Sequence, residues 1–206
     1  MGEGFIVIGG YLNILAGAAL LTYWYAFAIF MPYGQLSTTL AILVRSRHWG
    51  WINALGVFGA LTGLLGQAGI YLFQQANTNT FASVGYYVAV TGTTLLIGTM
   101  LWETILWPIL AKQDESLLEF QGPIYTSKTF LPFFIAAGLL YSVGYVFVGV
   151  GIIQAGMLPR LAGYLLAVGA PLFGLGAAFG KLQALIRSVG VTLMSVALII
   201  IGMNMI

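Results

Sequence analysis

Glu103 is the one acidic residue that falls inside a long apolar stretch of this sequence. Trp102 and Trp107 bracket it, and Thr99 precedes it by one helical turn. Placing a charged side chain at the centre of a bilayer costs at least ~2.5 kcal/mol, so Glu103 must face other helices or hold a proton. With Thr99 it forms a weakly polar strip suited to a proton or ion path, a strip that Gly92 extends two turns further back. Asn13, Gln67, Gln154 and Asn204 are uncharged polar residues that need interhelical partners or an interfacial position. Such bonds contribute about 0.6 kcal/mol each within membranes, enough for packing without implying a site.

Metal and covalent chemistry have little to draw on. The chain has no cysteine and a single histidine, His48, which rules out cysteine-ligated zinc, iron-sulfur clusters, disulfides and bis-histidine haem within one chain. Arg45, Arg47 and His48, next to Trp49, read instead as a cationic patch for lipid headgroups. There is no HExxH, no GxSxG and no pair of intramembrane aspartates, so neither an enzyme nor a bound cofactor is expected. Gly174-Leu175-Gly176 superficially matches a dinucleotide turn but has no strand before it.

The elements that must position these residues are membrane spans. Of 206 residues 60% are hydrophobic and 6% charged, where soluble domains carry about 25% charged residues. A net charge of +2 gives no reason to expect a nucleic-acid partner. Six apolar segments approach the ~20 residues needed to cross hydrocarbon: 5–31, 50–73, 83–110, 130–157, 161–179 and 187–206. The reading is an all-α integral membrane protein, one polytopic domain over residues 1–206 forming a six-helix transmembrane bundle. The first stretch is too long for a signal peptide and is expected to stay as a span. Leu158, Pro159 and Arg160 alone separate the fourth and fifth segments, which calls for a tight hairpin.

Arg45, Arg47, Lys112, Lys128, Lys181 and Arg187 fall on one side of that bundle and Arg160 on the other. The positive-inside rule then puts both termini outside the cytoplasm, and a bacterial inner membrane is the expected location. Leu36, Leu40, Leu43 and Val44, with Ser37 as N-cap, predict a short helix lying on the cytoplasmic leaflet.

Gly56, Gly59 and Gly63 mark a close-packing face on the second span, and Gly176 and Gly180, beyond Pro171, another in the fifth. Pro171 should kink its helix. Internal similarity adds a second theme. Leu15–Phe30 aligns with Ile135–Val150, Gly50–Gly63 with Gly163–Gly176, and Ser83–Gly85 with Ser188–Gly190. A duplicated three-span unit inserts upside down, the 3+3 inverted repeat of many carriers. Two functions follow. The first is a non-catalytic subunit or scaffold packing against other membrane proteins or against itself, in contact with membrane lipids. The alternative is a small secondary transporter or channel built around Glu103.

Overall fold

The computed structural model describes residues 2–31, 40–119, 122–124, 126–176 and 182–206. The protein is all-helical, with no strand among the described residues. Its helices are α1 (Gly2–Phe30), α2 (Leu40–Val44), α3 (Trp49–Phe73), α4 (Thr80–Ile105), α5 (Trp107–Gln113), α6 (Phe130–Ala155), α7 (Arg160–Gly174) and α8 (Gln183–Met203). Five helical stretches are long and apolar enough to cross a membrane: α1, α3, α4 with α5, α6, and α8.

Local chemistry sets the boundaries. Asn79 caps α4 by accepting from the Ala82 N–H at 2.9 Å. Ser127 Oγ accepts from the Phe130 N–H at 3.2 Å and so starts α6. Gly156 ends α6 in the left-handed conformation, φ 66°, which glycine adopts without a Cβ penalty. Pro159 then leads into α7, giving the expected hairpin.

The long helices and α7 form a closed ring in chain order, α1–α3–α4–α6–α7–α8 and back to α1. Neighbours run antiparallel. Gly9 meets Gly69 while Gly59 meets Leu20 between α1 and α3, and Gly10 meets Gly202 while Gly17 meets Ser195 between α1 and α8. Between α4 and α6, Gly85 lies against Val148 and Gly92 against Tyr141, so backbones touch with no side chain between them. Outward positions are apolar, as a surface bathed in hydrocarbon requires: Ile29 is 73% exposed, Leu65 60% and Leu185 64%.

Three expectations take a more detailed form. The third segment is one apolar stretch, Thr80–Gln113, broken within it where α4 stops at Ile105 and α5 restarts with Pro108 in its first turn. Pro108 has no N–H to give to the carbonyl one turn earlier. Of the fifth segment, α7 spans 15 residues, about 22 Å at 1.5 Å per residue against a ~30 Å core, and residues 177–179 lie outside the described residues. The helix predicted on the membrane surface buries Ala41, Leu43 and Val44 and packs against α5, so its apolar side meets protein. Leu36 and Ser37 lie outside the described residues, as do Gly180 and Lys181.

Candidate functional site

Thr99 is buried on α4 and donates to the Leu96 carbonyl at 2.7 Å. One turn on, Glu103 is half-buried, and its carbonyl accepts from Trp49 Nε1 at 2.9 Å. Arg187, near the start of α8, is a cation on the side of the bundle that carries Glu103 and favours its ionised form. Lys112, the cation nearest in sequence, forms no ion pair with Glu103 among the described residues.

Arg187 is held where it is by aromatic faces from two other helices. Its guanidinium carbon lies 4.6 Å from the ring centroid of Trp24 on α1 and 5.1 Å from that of Phe173 on α7. Those rings meet edge to face at 5.8 Å, and Trp24 Nε1 donates to Ser188 Oγ at 2.6 Å. Gly176 leaves room for the stem of Arg187, since a Cβ there would collide with Arg187 Cγ. Gly176 thus packs against α8 at Arg187, stem and backbone N alike.

A cavity of about 260 Å3 lies at the C-terminal end of α7, lined by Thr99, Tyr141, Phe173, Gly174 and Arg187 among others. It draws its walls from α4, α6, α7 and α8. Tyr141 donates to Met194 Sδ at 3.5 Å, tying α6 to α8 beside it. Deeper in the bundle, Tyr145 is placed next to Gln67 of α3 and Thr93 of α4. Neither Gln67 Nε2 nor Thr93 Oγ1 reaches hydrogen-bonding geometry with any described group. Asn13 links α1 to α3 by donating to the carbonyls of Gly9 and Gly66, at 2.8 and 3.1 Å. Gln154 and Asn204 are exposed.

The other residues singled out in the sequence are spread across the molecule. Gly59 and Gly63 face Leu20 and Ala16 of the chain's own α1, and Gly56 faces Met100 of α4 and Tyr23 of α1. Arg45 pairs with Glu115 and also donates to the Ala111 carbonyl, so it serves to tie α2 to α5. Arg47 Nε approaches His48 Nε2 at 3.1 Å, and Trp51 Nε1 approaches His48 Nδ1 at 3.1 Å. A neutral imidazole has one acceptor nitrogen, so one of these bonds holds at a time. His48 stacks on Phe30 at 4.8 Å. Of the cationic patch, Arg47 and His48 remain at the surface without a counter-charge among the described residues.

Sequence reasoning counted Arg187 only as a topology signal and did not single out Tyr141, Tyr145 or Thr93. Arg187 had one readable sign: it stands at the head of an apolar stretch, where a one-turn extension of the helix takes it inside the bundle. These features define an integral membrane protein whose helical bundle holds a charged, half-buried cavity. Comparison with known protein families, with curated proteins and with solved structures finds no match for this chain.

Proposed function

We propose that the chain is a small proton-coupled secondary carrier of six spans, α7 being the short one, with Glu103 as the proton-bearing group and Arg187 as its counter-charge. The observation that carries this reading is the cavity between α4, α6, α7 and α8, lined by Thr99 and Arg187, with Glu103 in the field of that arginine. An ionisable pair inside a membrane bundle marks a pathway more often than a structural tie. The subunit reading leaned on the glycine faces. Those faces are spent within the ring, Gly59 and Gly63 on α1 and Gly56 on α4 and α1.

Helix register supports an inverted repeat. On the sequence alignment, the contacts Ala16–Gly63 and Leu20–Gly59 correspond to Ala136–Gly176 and Leu140–Leu172. The close approach of Gly138 to Gly174 lies midway between those two pairs, so α6 and α7 meet in the register of α1 and α3. The third pairing departs from this pattern: Gly85 meets α6, whereas Gly190 meets Phe173 of α7 and not α1.

Two measurements test the proposal. Single cysteines at Asn77 and Lys112, both exposed and at opposite ends of α4 with α5, are expected to react with an impermeant thiol reagent from opposite sides of the membrane, Lys112 from the cytoplasm. Reaction of both from one side would refute the spans and their orientation. Native mass measurement after mild detergent extraction is expected to give a monomer or homodimer. A fixed ratio to other membrane proteins would instead establish the subunit.

A further inference from the structure

A second, larger chamber of about 540 Å3 opens beside α4, walled by Trp102, Ile124, Phe130 and Phe133 and bordered by Gly98 and Thr99. Its size lies in the roughly 300–1,000 Å3 range of small-molecule sites, and its walls are almost wholly apolar. Gly98 sets it apart from ordinary helix packing. A Cβ on Gly85 or Gly92, in the same helix, would strike the backbone of α6, whereas a Cβ on Gly98 would meet nothing within 4 Å. Glycine weakens a helix interior, and at Gly98 no protein neighbour uses the space gained. What that glycine keeps open is the chamber.

Thr99 lines this chamber and also the smaller cavity that holds Arg187. Thr99 is thus a wall common to a hydrocarbon-like compartment and to one that holds a cation. We propose that the two compartments together bind one single-chain amphiphile with an anionic head, its tail against Trp102, Phe130 and Phe133 and its head at Arg187. The guanidinium offers planar, paired donors suited to phosphate or carboxylate. Among the described residues the walls of the larger chamber include no charged side chain, which suits a tail and disfavours the head. The bilayer supplies such molecules directly at the level of α4 and α6. That this amphiphile is also the transported solute rests on the carrier reading; that it binds does not.

The test uses the full chain in detergent, with ligand binding counted by native mass spectrometry and hexadecyl phosphate as the probe. One molecule is expected to bind, about tenfold or more tightly than hexadecanol because the uncharged head loses the interaction with Arg187, and inorganic phosphate alone should not be retained. Across a series of alkyl phosphates, affinity should rise about fourfold per methylene until the chamber is full. Gly98→Phe fills the chamber without a clash at Cβ and is expected to abolish binding while the melting temperature holds. Equal affinity for hexadecanol would overturn the head site, and unimpaired binding by Gly98→Phe would overturn the chamber. A phospholipid that co-purifies one to one and resists displacement by hexadecyl phosphate would also overturn the proposal. Binding of hexadecyl phosphate without its movement across proteoliposome membranes supports the site and refutes this amphiphile as the transported solute.

Discussion

Gly92→Leu is expected to prevent assembly of the bundle, whereas Gly98→Leu, less than two turns away on the same helix, is expected to leave it folded. The difference lies in what each side chain meets. A Cβ at Gly92 runs into the backbone of Leu140 and Tyr141, which cannot swing away as a flexible side chain can, while a Cβ at Gly98 enters open space. Overpacking in a tight core typically costs about 1–3 kcal/mol even when neighbours relax. Here the whole α4–α6 contact, from Gly85 to Gly92 and from Gly144 to Gly151, depends on backbones touching. Separation at Gly92 therefore removes the close van der Waals contact along that entire interface. Thermal unfolding in detergent and gel-filtration profile report the result. Similar melting temperatures for the two variants would contradict this packing.

Arg187→Gln carries the next largest effect. The substitution removes a guanidinium that rests on Trp24 and Phe173, and contacts of this kind contribute about 0.5–2 kcal/mol each. It also takes away a positive charge that acts on Glu103. A clear drop in melting temperature is expected, together with loss of transport. Arg187→Lys is expected to recover part of the function and less of the stability, because an ammonium keeps the charge but lacks the planar face that stacks on both rings. A melting temperature for Arg187→Gln equal to that of the unchanged protein would show that the ring contacts add nothing.

The sequence made much of this structure legible because hydrocarbon imposes a simple rule, about 20 apolar residues per crossing. The α6–α7 hairpin could be read from Leu158, Pro159 and Arg160 for the same reason, since no single crossing accommodates both flanks. Helix breaks were harder. Pro108 was visible, but near the end of the expected segment it gave no sign that a new helix, α5, would start around it and pack on α2. The glycines announced close packing without naming the partner: Gly59 and Gly98 look alike in sequence, and only the ring places one against Leu20 and the other against a cavity. Glu103 stood out because an acid in an apolar run is rare. Arg187 did not, because a cation at a helix end is what topology demands, and its stacking depends on Trp24, which lies far away in the chain and adjacent only once the ring closes.

The central claim is that Glu103 and Arg187 belong to one proton-exchanging site, and infrared difference spectroscopy of the reconstituted protein across a pH ramp tests it most directly. Glutamine keeps the size and hydrogen bonding of the carboxyl group but cannot exchange a proton. The account predicts a carboxylic C=O band that appears and disappears with pH, vanishes in Glu103→Gln and shifts in Arg187→Gln. A pH-difference spectrum that Glu103→Gln leaves unchanged would contradict it.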